Sequence, residues 1–519
     1  MGLGKTLTIL SYLKMLKEKL KRQKPKETII TDSTSLKTLI VIPASLFYQW
    51  QKEIDSKFKQ YSFIVGHFYK DERKKLSKSK LEECDIVLTT YQTVLSDTNV
   101  LKQIEWNRII CDEGHKIKNI QSKTAKALCS LNSRSRIILS GTPIQNEIAE
   151  LYSYLKFFKM NPFDEIHVFE SVFENKNNPQ GVDYWIQSLS EFLLLRRNKS
   201  DIDERTNKKI VDLPDKDIKL IEFELNESEN FIYSKIEEES REQAESLLRG
   251  QFTSQTTKNI YGKDLYSRIL VYLLRLRQAC SHFNLMINND KIVNEDELEN
   301  LENEFIQEIK FKSIDSIQSV GNSYLKNCFF VEYQSSKLLE LRKYLDKLLV
   351  EYPNDKIIIV SQWTSFLNII GLNLIKSNIW YCEITGEINL EERERTIDMF
   401  NDETNMDYRI MLLSLGSGGV GLNLVGANHL FLLDMHWNPA HELQVFDRIH
   451  RIGQKKKVNI YKFMCKNTIE QRIFHLHEKK LKLADKFCNN LKSFNVDSNF
   501  NKLSINDIRN LFEIHDLDS

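Results

Sequence analysis

The amino-acid sequence predicts an α/β fold with two parallel-sheet lobes, a helical insertion between them and a short C-terminal extension. Two groups of short hydrophobic runs support this prediction, since a stretch with helical periodicity separates each run from the next. The runs of the first group are apolar at every position, which is typical of strands whose two faces are both covered by helices. A chain of 519 residues is also longer than one compact core usually accommodates, so two large lobes fit its length.

The first lobe is predicted over residues 1–200. Its strands are predicted at residues 39–42, 86–88, 109–111 and 137–139. A polar or Gly/Pro segment follows each run, and ligands of such sheets bind beyond the carboxyl ends of the strands. We therefore expect the functional residues of this lobe at that edge.

Residues 201–334 are predicted to form a linker, a helical protrusion and an acidic insertion. A strand-like run covers 218–225, and helices are expected over 228–249 and 263–280. The acidic stretch 295–304 has no clear apolar face, which favours a solvated insertion, with a partner-binding surface as the alternative.

The second lobe is predicted over residues 335–492, and the tail over 493–519. The strands of this lobe are predicted at 357–360, 381–384, 410–413 and 430–433. In the tail, Ile505, Ile508, Leu511 and Phe512 stand at helical spacing, which predicts a short helix that packs back on a lobe.

Charge and cysteine usage exclude several classes of protein. Lys plus Arg number 73 against 72 Asp plus Glu, so no global basic field exists and any grip on nucleic acid must be a local groove. The eight cysteines form no Cys-x-x-Cys pair, which argues against a zinc module and fits a reducing compartment. The longest apolar region is too polar for a membrane span, so we expect a cytosolic or nuclear protein.

A glycine-rich turn opens the chain before a helical run. In Gly2-x-Gly4-Lys5-Thr6, glycines allow backbone amides to close on phosphate oxygens, and the helix N-terminus adds positive potential. Lys5 would reach the β- and γ-phosphates of a nucleotide, and the Thr6 hydroxyl would bind Mg²⁺. A helix preceded by a flexible glycine turn is the alternative interpretation.

Two acids follow a predicted strand, in the sequence Asp112-Glu113-Gly114-His115. An Asp at a strand end holds the Mg²⁺ that bridges nucleotide phosphates, and an adjacent Glu polarises the attacking water. The segment 140–146, which starts at Ser140, suits an element that senses nucleotide state, although a plain turn would use the same residues.

The second lobe has its own candidates for phosphate contact. Arg448 and Arg451 stand at i and i+3, which places both guanidiniums on one helix face and would let them stabilise a transferring phosphoryl group across a cleft. The alternative is a pair of surface arginines bound to Asp447 and Glu442. The glycine-rich segment 416–423 suits close backbone approach to a phosphate chain of nucleotide or DNA, or a flexible linker.

Taken in chain order, these segments resemble the motifs of the Swi/Snf family of helicase superfamily two ATPases, over essentially the whole chain. The matching segments are 1–6, 42–46 with Gln49-Trp50, 89–91, 112–115 with 117–119, 140–146, 361–363, 418–424 and 444–454. Segments 420–424 and 428–437, the tail at 502–507 and the missing RING cysteines are similar to the lodestar and transcription termination factor 2 branch. Leu415-Gly416 departs from the Thr-Arg of many relatives, which removes a phosphate contact there.

The resemblance implies two RecA-like lobes, ATP and Mg²⁺ as cofactors, and a nuclear, monomeric motor that translocates on double-stranded DNA. Its output would be displacement of proteins from DNA, in transcription termination by RNA polymerase II or in remodelling of nucleosomes. The implied nucleotide contacts are Gly2, Gly4, Lys5, Thr6, Asp112, Gly421 and Gln444. The implied DNA contacts are Thr89, Ser140, Gly418, Gly419 and Trp437.

Two other functions stay open at this point. Because the sequence starts inside the first motif, an N-terminally truncated, catalytically impaired DNA- or partner-binding remnant is one alternative. A strand-separating helicase is another, since the 215–330 region has room for a wedge element. Duplex unwinding compared with triplex displacement would separate unwinding from translocation.

Overall fold

The protein divides into two compact units, which are treated separately below. Unit 1 takes the described residues up to Val211, and unit 2 takes those from Asp212 onward. The computed structural model describes residues 3–22, 36–58, 62–141, 148–173, 179–195, 197, 199, 201–203, 205–253, 261–287, 311–319, 323–386, 388–418, 421–436, 439–478 and 505–514. The predicted acidic insertion at 295–304 lies outside these residues.

Unit 1 contains a five-stranded sheet in the order β2-β3-β1-β4-β5, with every neighbouring pair parallel. The strands are β1 Thr38–Ile42, β2 Val65–Phe68, β3 Ile86–Thr90, β4 Trp106–Asp112 and β5 Ser133–Leu139. Four of them confirm the predicted strands. The fifth, β2, was not predicted, because this short edge strand buries only Gly66 and Phe68 and includes a histidine.

Helices follow the strands of unit 1 in the expected alternation. They are α1 Lys5–Arg22, α2 Phe47–Lys57, α3 Lys78–Glu83, α4 Tyr91–Ser96, α5 Thr98–Lys102, α6 Lys123–Ser130, α7 Ile148–Phe158, α8 Ile166–Phe173 and α9 Pro179–Leu193. Single 3₁₀ turns cover Ala44–Leu46, Lys70–Lys75 and Gly114–Ile117, and a two-residue hairpin pairs β6 Ile202–Asp203 with β7 Lys208–Lys209. Side-chain caps start α4 and α6, where Thr90 and Ser122 accept from the backbone amides of Thr93 and Ala125.

A half-buried ion pair fastens α1 to the sheet. Lys17 Nζ lies 2.5 Å from Asp85 Oδ2 and donates to the Ser62 carbonyl at 3.0 Å. Asp85, directly before β3, also accepts from the Ile64 amide at 2.7 Å. With Leu10 and Leu13 fully buried below them, these bonds fix the helix whose first residue is Lys5.

Unit 2 contains a six-stranded sheet in the order β10-β11-β9-β12-β13-β8, again parallel throughout. The strands are β8 Lys216–Phe223, β9 Ile357–Ser361, β10 Tyr381–Ile384, β11 Ile410–Ser414, β12 His429–Leu432 and β13 Val458–Cys465. The structure confirms four predicted strands and adds β13. It also places the run at 216–223 in this sheet, where the sequence analysis assigned it to the region between the lobes.

The helices of unit 2 cover both faces of its sheet. They are α10 Glu227–Thr253, α11 Tyr261–Ser281, α12 Asn284–Ile287, α13 Lys312–Ser319, α14 Ser323–Asn327, α15 Ser336–Glu351, α16 Thr364–Lys376, α17 Leu390–Asn401, α18 Leu415–Gly418, α19 Pro439–Ile449, α20 at 469–478 and α21 Ile505–Phe512. The helix predicted in the tail is confirmed as α21, which buries Ile508, Leu511 and Phe512 in the core of this unit. Among the described residues, no helix has the length and hydropathy that a membrane span requires.

A cluster of buried charged residues connects α11, α15 and α20 to the sheet of unit 2. Lys337, at the start of α15, is fully buried and donates to Glu470 at 2.5 Å and to the Leu433 carbonyl at 2.8 Å. Asp434, just past β12, lies 3.7 Å from the same ammonium and accepts from Ser281 at the end of α11 at 2.7 Å. Lys337 thus connects α15 to α20 and to the end of β12, and Asp434 extends the cluster to the end of α11.

Candidate functional site

Asp112 ends β4 at the carboxyl edge of the unit 1 sheet, as the sequence predicts. It is 5% exposed, and each carboxylate oxygen accepts one hydrogen bond. Oδ2 accepts from the indole nitrogen of Trp50 at 2.9 Å, and Oδ1 accepts from the Glu113 amide at 2.9 Å. The Asp112 backbone carbonyl accepts from the Tyr91 hydroxyl at 2.6 Å. Side chain and main chain are therefore both held in place.

Burial and the neighbouring charge of Glu113 raise the pKa of Asp112 to about 6, while Lys5 and the Trp50 hydrogen bond act in the opposite direction. The Lys5 charge therefore acts on this carboxylate, although the two residues are far apart in the sequence. Buried carboxylates with a raised pKa are frequent at functional sites. A cation bound at such a carboxylate favours its ionised form.

Glu113 has a left-handed backbone, with φ 50° and ψ 57°, which is uncommon for a residue with a side chain. Its carboxylate lies 3.4 Å from His115 Nδ1 and is 10% exposed. The next residue must be glycine, because a β-carbon on Gly114 would lie 2.1 Å from Ile138 Cγ2. The chain therefore turns sharply against β5 and directs two successive carboxylates to one edge of the sheet.

The glycine-rich turn is described from Leu3 onward, and Gly2 lies outside the described residues. Gly4 has φ 73° and its carbonyl accepts from the Thr8 amide at 2.9 Å, so the 18-residue helix α1 starts directly after it. Lys5 and Thr6 are half-buried in the first turn. The first amides of a helix have no carbonyl partner within the helix, and together with the helix dipole they make this turn suited to an anion.

These residues fit a magnesium–nucleotide site in their donor chemistry. Mg²⁺ in such sites is held by one or two carboxylates together with phosphate oxygens and water, rather than by a protein cage. Asp112 supplies one fixed carboxylate, and Lys5 brings the positive charge that phosphate oxygens require. The nucleotide roles of Lys5, Thr6, Asp112 and Glu113 stay predictions. The burial, hydrogen bonds and charges described above support them.

The residues predicted to contact DNA in unit 1 have different surroundings. Thr89 is fully buried within β3, and its hydroxyl donates to the Phe68 carbonyl of β2 at 2.9 Å. Contrary to the expectation, this leaves Thr89 no surface for a DNA phosphate. Ser140 is half-buried just beyond β5, and the rest of its segment, 142–147, lies outside the described residues.

In unit 2, Arg448 and Arg451 hold the glycine-rich loop, but they do not share a helix face. Arg448 is 5% exposed on α19, and its Nε donates to the Gly418 carbonyl at 3.3 Å. Arg451 lies beyond the helix, which ends at Ile449, and donates to the Leu422 carbonyl at 3.0 Å. The predicted i, i+3 helical geometry is thus wrong, because the chain turns away there and passes through Gly453 at φ 106°.

Three other predicted residues of unit 2 lie along the same loop and helix. Gly418 and Gly421 are buried, Gly421 with φ 47°, while Gln444 is half-buried on α19. Gly419 and Trp437 lie outside the described residues. Sequence reasoning gave no role to Gln454, whose amide nitrogen donates to the Ala427 carbonyl at 2.7 Å and whose oxygen accepts from the Lys456 amide at 2.8 Å.

Sequence reasoning also missed the two aromatic side chains that hold Asp112. Trp50 and Tyr91 were noted only as parts of motifs, and both are largely buried. Neither residue type pointed to this role, since a tryptophan inside a helix and a tyrosine directly after a strand are usually core residues. The hydrogen bonds that distinguish them join positions 62 and 21 residues apart.

Two family models match segments of this chain. Residues 1–285, more than half of the chain, match the family model described as the SNF2-related domain. The chain belongs to the SNF2-related family. Residues 340–453 of this SNF2-related chain match the helicase conserved C-terminal domain, and the two matches confirm the predicted family.

Relatives of this SNF2-related chain are larger proteins. Transcription termination factor 2 of Drosophila melanogaster is 34% identical over 99% of the chain and 56% of its own length. The ISWI chromatin-remodeling complex ATPase ISW2 of Saccharomyces cerevisiae is 29% identical over 93% of the chain and 38% of its own length. The chain therefore spans about half, or less, of the length of these relatives. The solved Sulfolobus solfataricus SWI2/SNF2 ATPase core in complex with dsDNA is 27% identical, over 98% of this chain and 91% of that one, with a TM-score of 0.37.

Proposed function

We propose that this chain is the ATPase motor of a double-stranded DNA translocase. The observation that carries the proposal is the fixed Asp112–Glu113 pair at the end of β4, with the Lys5 charge acting on Asp112. The family match and the word ATPase in the name of the yeast relative support the same reaction. ATP and Mg²⁺ are the cofactors that this residue set suits.

In the proposed reaction, the first turn of α1 binds the phosphates of ATP. The backbone amides after Gly4 face the phosphate oxygens, and the Lys5 ammonium neutralises charge on the β- and γ-phosphates. Asp112 and the Thr6 hydroxyl are the residues that would hold Mg²⁺, which supplies further neutralisation of phosphate charge. The Trp50 and Glu113 hydrogen bonds keep the Asp112 carboxylate from rotating.

Glu113 is proposed as the residue that orients the attacking water. Its carboxylate accepts a hydrogen bond from that water and draws the proton away as the oxygen approaches the γ-phosphorus. Two observations support this role: the backbone of Glu113 is left-handed and so departs from the alternation of the strand, and the charge of Glu113 acts on Asp112. His115, 3.4 Å away, limits where that carboxylate lies.

Arg448 and Arg451 are proposed to stabilise charge on the transferring phosphoryl group, together with Gln444 and the backbone at Gly421. Their bonds to the Gly418 and Leu422 carbonyls would set the position of the two guanidiniums before nucleotide engages them. An arginine in such a role is worth on the order of 10³–10⁵ in rate.

The proposed output is movement along duplex DNA that displaces bound proteins. The relatives' names point to transcription termination and chromatin remodelling, so RNA polymerase II and nucleosomes are the partners proposed, in the nucleus. We propose a monomeric motor that translocates without separating strands. Displacement of a third strand from a triplex, without opening of the duplex beneath it, would support this choice over an unwinding helicase.

The decisive experiment is DNA-stimulated ATP hydrolysis by the chain and its Glu113→Gln variant. The variant should bind ATP normally and hydrolyse it at least on the order of 10²-fold more slowly, since it loses a general base. Glu105→Gln is the matched control, because Glu105 is exposed just before the other end of β4. Stimulation should fall as salt rises, since grip on DNA rests on phosphate contacts. Hydrolysis by Glu113→Gln at the parent rate would contradict the assignment.

A further inference from the structure

Trp50 makes a buried hydrogen bond to the side chain of Asp112. Its indole nitrogen donates to Asp112 Oδ2 at 2.9 Å, and the two side chains are 1% and 5% exposed. The tryptophan comes from the middle of α2, the helix that follows β1, whereas Asp112 ends the neighbouring strand β4. An indole carries one N–H and no acceptor, so this bond points in a single direction.

This hydrogen bond helps to fix the orientation of the Asp112 carboxylate. A carboxylate offers about four lone-pair positions. Trp50 takes one of these positions on Oδ2, and the Glu113 amide takes one on Oδ1. Donors on both oxygens prevent rotation of the group and leave one free lone-pair direction on each oxygen. Partners of this kind orient the ligands of bound metals in many proteins.

The tryptophan is itself held firmly. Phe47, Trp50 and Ile54 stand at helical spacing on one face of α2, and all three are buried. The hydroxyl of Tyr91 donates to the Asp112 backbone carbonyl at 2.6 Å. Tyr91 starts α4 directly after β3, and β3 borders β1 on the side away from β4. Helices that follow two different strands thus converge on one carboxylate residue.

We propose that Trp50 is a positioning residue for the magnesium–nucleotide complex, acting through the orientation of the Asp112 carboxylate. The inference rests on the proposed ATPase function, in which Asp112 faces Mg²⁺. Trp50 touches neither nucleotide nor metal, and its loss should act on metal affinity without removing any ligand. Loss of such a partner typically costs 10–100-fold in metal affinity.

A purely structural role for Trp50 is the competing explanation, and the chain offers a matched control. Trp106 is equally buried, at the other end of the same strand β4, and its indole donates to the Leu101 carbonyl at 3.0 Å. Trp50→Phe and Trp106→Phe each remove one buried indole and one hydrogen bond from the same unit. Only Trp50→Phe removes a bond to Asp112.

The test measures metal binding directly rather than turnover. Free Mn²⁺ is followed by electron paramagnetic resonance in the presence of a non-hydrolysable ATP analogue, for the parent chain and both variants, with thermal unfolding measured alongside. Trp50→Phe should weaken Mn²⁺ binding by roughly tenfold or more. Trp106→Phe should keep the parent affinity at a comparable loss of stability. Equal metal affinity in the two variants would overturn the inference.

Two further outcomes separate this inference from the proposed function. A parent chain that takes up no Mn²⁺ with nucleotide would overturn the proposed ATPase itself. If Trp50→Phe fails to fold, the ¹⁵N-labelled indole signals of the parent chain decide the matter. The Trp50 signal, identified by its displacement in Asp112→Asn, should shift when Mg²⁺ joins the nucleotide analogue. An unchanged Trp50 signal would overturn the inference.

Discussion

Loss of the Lys337 charge should destabilise unit 2 strongly. Its ammonium is fully buried and holds Glu470 at 2.5 Å and Asp434 at 3.7 Å. Burial alone would lower the pKa of Lys337, but these two carboxylates outweigh it and raise that pKa, so the lysine is charged. Lys337→Met therefore leaves two buried carboxylates without their cation. Breaking a buried pair in this way costs about 3–5 kcal/mol, which is a large part of the stability of a domain.

The stability lost in Lys337→Met should increase as pH rises. Burial raises the pKa of Glu470 above its ordinary value even with Lys337 present, and removal of the lysine raises it further. A carboxyl group whose pKa is higher in the folded state contributes stability below its unfolded pKa, which is about 4.3, and loses it as pH rises. The deficit of Lys337→Met should accordingly be smaller at pH 5 than at pH 8.

Urea unfolding of unit 2, followed by tryptophan fluorescence at both pH values, measures this deficit. Lys343→Met is the matched control on the same helix, since Lys343 is 72% exposed and pairs with Glu340 at 3.1 Å at the surface. That control should lose less than about 1 kcal/mol. A Lys337→Met variant no less stable than the control, or one whose deficit shrinks as pH rises, would refute the reasoning.

Two further substitutions test the edge of the unit 1 sheet. Gly114→Ala should lower the free energy of unfolding by roughly 1–3 kcal/mol, because its Cβ would lie 2.1 Å from Ile138 Cγ2. Thermal unfolding measures the loss, and the same loss in an Ile138→Ala background would speak against the clash. Thr89→Val should leave DNA affinity and its salt dependence unchanged, because the hydroxyl is buried against the Phe68 carbonyl. Binding titrations at two salt concentrations check this, and affinity about tenfold weaker would show that Thr89 reaches DNA.

The sequence predicts the strands of both sheets well where every residue is apolar. The runs at β1, β9 and β11 are buried at all five positions, as a sheet covered on both faces requires. β13 escaped prediction because Asn459 and Lys462 interrupt it. β8 was predicted as a strand but not as part of the second sheet, since its partner β13 lies more than 200 residues away and no local signal links them.

At the candidate site, residue type was predictable and three-dimensional surroundings were not. Asp112 and Glu113 follow a buried strand, and that position alone led to them. The spacing of Arg448 and Arg451 misled, because it assumes a helix that in fact ends at Ile449. Thr89 misled for a related reason, since a motif does not reveal whether a hydroxyl bonds to a neighbouring strand.

The pairing of β8 with β13 has a consequence for how the protein forms during synthesis. The five described strands of the parallel sheet in unit 1 have all been made once Leu139 is added, so they can pair early. The sheet of unit 2 starts with Lys216 but lacks the strand beside β8 until Cys465 is made. At typical elongation rates that interval lasts roughly 10–50 s. The eight residues of β8 would spend it as an unpaired edge, open to chaperones or to other nascent chains.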